Sequence, residues 1–128
     1  MRIPERKTPA ILIVDDNFDL REALCLLLNS DGYQTASANT FSEAIELIKQ
    51  RKFDLYLLDT WLPDGSGIDL CQRIRVQNEK APIVFYSGDG FEKNRIMAMD
   101  AGAKAFILKP ATIDELEEVI SDLVRNSD

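Results

Sequence analysis

The residues best suited to chemistry in this chain stand just past short apolar runs. Asp15-Asp16 follow AILIV (10–14), Asp59 follows DLYLL (54–58), Ser87 follows PIVFY (82–86) and Lys109-Pro110 follow KAFIL (104–108). Brought to one place, they offer three carboxylates, a hydroxyl and an ammonium. Three carboxylates within several ångströms repel, which raises the pKa of at least one unless a cation sits among them. All the side-chain ligand atoms on offer are oxygens, a set that suits Mg2+ rather than zinc or copper. An aspartate carboxylate is also a nucleophile that can take up a phosphoryl group as an acyl phosphate. Such a transfer needs mostly alignment and positive charge around the equatorial oxygens. Mg2+ and Lys109 would supply the charge, and the Ser87 hydroxyl a hydrogen bond.

Most of these residues also have a plain structural use. Asp16 or Asn17 would serve as the N-cap of a first helix. Asp59 would start a turn into Leu62-Pro63-Asp64-Gly65-Ser66-Gly67, a loop whose glycines would supply positive φ. Ser87-Gly88 would be a turn, and Lys109 a solvated residue before a proline. Asp15 has no comparable use. The pattern outweighs its parts, because four of five apolar runs end in ionisable or hydroxyl residues.

Composition narrows the chemistry further. The 128 residues are 45% apolar and carry 15 basic against 22 acidic side chains, a net charge of −7, with no histidine. A Ser-His-Asp triad, a Cys-His pair, a histidine-ligated zinc or an imidazole base therefore cannot be built from this chain alone. The length fits one domain that buries about two thirds of its unfolded surface. Cys25 and Cys71 lie in apolar stretches without a CxxC and read as reduced core thiols. After the basic MRIPERK comes a polar or proline-interrupted stretch where a signal peptide would carry its apolar segment. The apolar runs fall far short of the roughly 20 residues that cross a bilayer. A soluble, cytoplasmic protein without membrane contact is expected. The acidic balance argues against direct nucleic-acid binding.

The elements that must position these groups are legible from periodicity. Five strand candidates, 10–14, 33–38, 54–58, 82–86 and 104–108, alternate with five helix candidates. Leu20, Ala23, Leu24, Leu27 and Leu28 repeat at helical spacing up to Asp31-Gly32. Thr40 to Glu43 and Thr112 to Glu115 have the capping-box form and open the second and fifth helices. The third would open at Ser66 and bury Leu70, Cys71 and Ile74. The fourth, about 91–101, has only Ile96, Met97 and Met99 as a loose apolar set. Continuous apolar strands separated by helices imply a parallel sheet covered on both faces. In a doubly wound sheet, ligands bind beyond the carboxyl ends of the strands.

On these motifs the chain resembles the receiver domain of bacterial two-component response regulators. ILIVDDN, LLDTWLPDGSG, IVFYSGD and DAGAKAFILKP follow in the family's order. The resemblance implies a flavodoxin-like, three-layer α/β sandwich: a doubly wound five-stranded parallel sheet of order 2-1-3-4-5 with five helices. It implies a receiver domain over 9–125, with tails at 1–8 and 126–128. By the same resemblance Asp59 is the phosphoacceptor, served by a phosphohistidine on a sensor histidine kinase or histidine phosphotransfer protein. Asp16, Asp59 and the Trp61 backbone carbonyl would ligate Mg2+ directly, and Asp15 through water. Lys109 would pair with the phosphoryl group, Ser87 and Phe106 would be the switch residues, and Lys109-Pro110 would be cis. A downstream protein or effector domain would read the state, with a phosphorylation-dependent dimer through helix 4, strand 5 and helix 5.

Trp61 departs from the family pattern, where a smaller or more flexible side chain is common. Together with Asp89 it borders the path to the phosphoryl group, and it is expected either to shield that group or to contact a kinase. A phosphatase of the haloacid dehalogenase type also uses a strand-end aspartate, Mg2+, a hydroxyl and a lysine. It requires a second acid two residues after the nucleophile, where this chain has Trp61. A flavodoxin-like nucleotide binder is disfavoured by Asp15-Asp16, which would repel phosphate, and no P-loop motif is present.

Overall fold

Strand β1 (Ala10–Val14) is buried at every residue, as expected of a central parallel strand covered on both faces. This computed structural model describes residues 8–126, so the expected tails at 1–8 and 126–128 lie outside the described residues except for Thr8 and Asn126. From β1 the chain runs through α1 (Phe18–Ser30), β2 (Gln34–Ala38), α2 (Phe41–Gln50) and β3 (Leu55–Leu58). A short hairpin, β4 (Trp61–Leu62) and β5 (Gly65–Ser66), precedes α3 (Gly67–Gln77). The chain closes with β6 (Ile83–Ser87), α4 (Glu92–Asp100), β7 (Ala105–Leu108) and α5 (Ile113–Arg125).

The main sheet is parallel with order β2-β1-β3-β6-β7. Counting only its five strands, this is the expected order 2-1-3-4-5. Alternation along each strand sorts the core into two layers. Leu12, Val14, Tyr56, Leu58, Ile83 and Phe85 face α2, α3 and α4, with Leu70, Cys71 and Ile74 of α3 among them. Ile11, Ile13, Leu55, Leu57, Val84 and Ile107 face α1 and α5, against Leu24, Leu28, Leu116 and Ile120.

The caps explain where the helices start. Asn17 accepts from the Leu20 N–H at 3.0 Å, so Asn17 rather than Asp16 caps α1. Thr40 and Thr112 accept from the Glu43 and Glu115 N–H groups, each at 3.1 Å.

Three expectations change. The loop after β3 folds as the β4–β5 hairpin, and Gly65 and Gly67 are not among the positive-φ residues, which are Gly32 and Gly102. These two glycines answer to space instead. A Cβ on Gly67 would stand 1.9 Å from the Asp59 carbonyl oxygen, and one on Gly65 2.8 Å from the Phe41 ring. In α4 the buried residue is Ala98, while Ile96, Met97 and Met99 face solvent. Cys71 is buried as expected, and burial pushes its thiol up to about 11. Cys25 is only half-buried.

Candidate phosphoacceptor site

The parallel ladder carries the site residues to one level at its carboxyl edge. The Asp15 N–H donates to the Ala38 carbonyl at 3.1 Å and the Asp59 N–H to the Val14 carbonyl at 2.9 Å. The Lys109 N–H donates to the Ser87 carbonyl at 2.8 Å. Each residue thus extends its strand by one step beyond the apolar run. Side chains from β1, β3 and β7 emerge beside one another.

Asp15, Asp16 and Asp59 come together, with one carboxylate oxygen from each lying within 4.8 Å of the others. Asp15 is buried, Asp59 half-buried and Asp16 exposed. Lys109 bridges two of them, its Nζ 2.7 Å from Asp15 Oδ2 and 3.4 Å from Asp59 Oδ2. Asp15 is held from below as well. Its Oδ1 accepts from the Asn17 N–H at 2.9 Å, and its carbonyl accepts from Arg21 Nη1 at 2.8 Å.

The electrostatics follow from this crowding. Burial raises the Asp59 carboxyl above its ordinary range; Lys109 opposes that shift, and Asp15 adds to it. Burial works against the Lys109 ammonium, yet the hydrogen bond to Asp15 and the attraction of Asp59 and Asp15 outweigh it and raise its pKa. Three carboxylates, one of them half-buried with a raised pKa, form a donor set that could hold a hard cation such as Mg2+.

Ser87 ends β6 and is buried. Its Oγ accepts from the Asp89 N–H at 3.1 Å. Phe106 lies back in β7, half-buried, with its ring stacked on Phe85 at 6.0 Å between centroids. The Trp61 side chain is exposed and crosses to the next loop, where its indole Nε1 donates to Asp89 Oδ2 at 2.7 Å. This contact draws the Asp89 carboxyl below its usual range, with further help from the Phe91 N–H and Asn94. The Lys109-Pro110 bond is cis.

Sequence reasoning missed Asn94, Gly67 and Arg21 as members of this region. Asn94 donates to Asp89 Oδ2 at 2.6 Å, which depends on the turn between them. Gly67 packs against the Asp59 backbone, and a glycine in a polar loop gave no sign of that approach. Arg21 sits one turn into α1, where a charged residue reads as solvated face.

The family model described as "Response regulator receiver domain" matches residues 11–121. The response regulator protein PilR of Pseudomonas aeruginosa is 40% identical over 114 residues, covering 89% of this chain and 26% of PilR. The phosphate regulon transcriptional regulatory protein PhoB of Escherichia coli is 32% identical, covering 90% of this chain and 51% of PhoB. The chain thus spans about a quarter and about half of these relatives. A CheY-like response regulator receiver domain protein from Methanospirillum hungatei superposes with a TM-score of 0.92 at 28% identity, covering 94% of this chain and 97% of that one. The beryllofluoride-activated NtrC4 receiver domain gives 0.87 at 27%, covering 93% and 98%. The haloacid dehalogenase alternative finds no support in family, fold or site, since Trp61 stands where its second acid is needed. Among the described residues, no helix is long and apolar enough to cross a membrane. With family match, sheet order and acidic strand-edge cluster in agreement, the chain belongs to the response regulator receiver domains, the signalling domains of two-component systems.

Proposed function

We propose that Asp59 accepts a phosphoryl group from a phosphohistidine on a sensor histidine kinase or histidine phosphotransfer protein. The observation that carries this reading is the Asp15, Asp16 and Asp59 cluster, bridged by Lys109 at the carboxyl edge of the sheet. An Asp59 carboxylate oxygen attacks phosphorus, the P–N bond breaks, and its electron pair returns to the imidazole nitrogen of the donor. The product is an acyl phosphate, which water later cleaves to restore the carboxylate and release inorganic phosphate. The domain itself organises both steps, as a phosphoacceptor rather than an enzyme acting on a separate substrate.

Asp16, Asp59 and the Trp61 carbonyl would hold Mg2+ directly and Asp15 through water. When bound, the ion offsets carboxylate repulsion and the charge gathering on the phosphoryl oxygens. Lys109, already aimed at Asp59, pairs with the phosphoryl group. Ser87 turns its hydroxyl toward the phosphoryl oxygens, and Phe106 repacks behind it. This shifts a pre-existing equilibrium in the surface of α4, β7 and α5. That surface is already apolar and exposed at Phe91, Ile96, Met97, Leu108 and Ile113. It suits a downstream protein, an effector domain or a second copy after phosphorylation, without direct nucleic-acid binding. Trp61, beside the acceptor, partly shields the acyl phosphate from water. The signalling unit spans 9–125, with 1–8 and 126–128 as tails, and works in the cytoplasm.

Incubation with acetyl phosphate tests the reading by intact mass. One added, hydroxylamine-labile phosphoryl group that requires Mg2+ is expected. Labelling that ignores EDTA would overturn it. Trp61→Ala is expected to speed loss of the label, and an unchanged rate would remove the shielding role.

A further inference from the structure

We propose that Trp61, Asp89 and Asn94 form a latch tying the acceptor loop to the first turn of α4, with Ser87 holding it closed. The latch rests on the acceptor reading of Asp59 and adds to it a route by which the acceptor's state reaches α4.

The Asp89 carboxylate collects three donors from three places. Its Oδ2 accepts from the Trp61 indole at 2.7 Å and from Asn94 Nδ2 at 2.6 Å. Its Oδ1 accepts from the Phe91 N–H at 3.1 Å. Trp61 belongs to the hairpin that follows Asp59, and Asn94 to α4, so one carboxylate joins two segments that flank the acceptor. Hydrogen bonds to a charged acceptor are the stronger kind.

Packing alone holds these parts weakly. The Trp61 side chain is 54% exposed, so the core does not fix its position. The N-cap residue of α4, Phe91, makes no side-chain cap, and the helix buries only Ala98. Asp89 is therefore a positioning residue for both the indole and the helix start.

Ser87 connects the latch to the acceptor. Its buried Oγ accepts from the Asp89 N–H at 3.1 Å. A hydroxyl that swings to donate to a group on Asp59 carries its oxygen away from that N–H. The Asp89 backbone then loses its anchor, and the Trp61 and Asn94 contacts loosen together. Occupation of Asp59 is thereby felt at α4.

The chain has one tryptophan, so its indole N–H gives a single nuclear magnetic resonance signal. In Asp89→Ala this signal is expected to move upfield and its proton to exchange with water about tenfold faster, the loss of one hydrogen bond to a charged group. Asn94→Ala should shift it less, in the same direction. Dispersed backbone amide signals establish that each variant is folded. Adding beryllofluoride and Mg2+ to the native chain should move the indole signal toward its position in Asp89→Ala. In Ser87→Ala the signal should start near that position and stay there. An indole signal identical in the native chain and Asp89→Ala overturns the latch, and so does a Ser87→Ala response as large as the native one. Fluorine resonance separates the two levels. Bound beryllofluoride with an unmoved indole sinks the latch alone, whereas no bound fluorine signal sinks the acceptor reading and the coupling with it.

Discussion

The two sides of Asp59 are built to different standards of rigidity. On the α2–α3 side, the Asp64 carboxylate accepts from the Phe41 N–H at 2.7 Å and from the Ser42 N–H and hydroxyl at 3.0 and 2.7 Å, stitching the hairpin to α2. Gly67 packs on the Asp59 backbone, and α3 buries five of its residues, Ile74 and Leu70 completely. Arg75 then binds the carbonyls of Asn78, Ala81 and Gly102. On the α4–β7 side, α4 buries one residue, and Phe91, Ile96, Met97 and Leu108 are exposed. The first side fixes where Asp59 stands. The second has little buried area to lose, so under the proposed function a small free energy at Asp59 would be enough to change its arrangement.

The contrast can be broken first by cutting into the rigid side. Ile74→Ala is expected to cost about 4 kcal/mol in urea unfolding, since it removes a fully buried side chain. Gly67→Ala should cost about 3 kcal/mol, because its Cβ meets backbone rather than a side chain that can swing aside. Loss of phosphoryl labelling beyond that due to unfolding would show that the Asp59 backbone has moved.

Asp64 sharpens the contrast through pH. Its hydrogen bonds, chiefly from the Ser42 hydroxyl, hold its carboxyl below the usual range. A depressed folded pKa gives stability that is present above the unfolded value, about 3.9, and is lost as pH falls through the folded one. The stability gap between native and Asp64→Ala chains should therefore be widest near neutrality and narrow below about pH 4. A gap that stays constant would mean the charge is not what joins the hairpin to α2. The smallest effect is expected on the loose side: Met97→Ala should change stability by no more than about 0.5 kcal/mol. A loss as large as that of Ile74→Ala would end the distinction between the two sides.

What the sequence reveals follows the same division. Strands β1, β3 and β6 are legible because burial on both faces makes each nearly continuous in apolar residues, whereas the edge strand β2, QTASA, is largely exposed. Thr40, Ser66 and Thr112 mark the helix starts through their own chemistry. Asp15, Asp16, Asp59 and Lys109 are legible as a site because topology alone sends strand ends to one edge. The β4–β5 hairpin is not, since two residues per strand carry no period. In α4, Ile96, Met97 and Met99 imitate a buried stripe while Ala98 does the packing. The Trp61 to Asp89 contact spans 28 positions between two loops, and no local pattern encodes such a meeting.

The most direct test of Asp59 as acceptor is to map the phosphoryl label after treatment with acetyl phosphate and Mg2+. A single label on the peptide bearing Asp59, absent in Asp59→Asn, is predicted. A label on Asp15 or Asp16, or one that persists in Asp59→Asn, would contradict it.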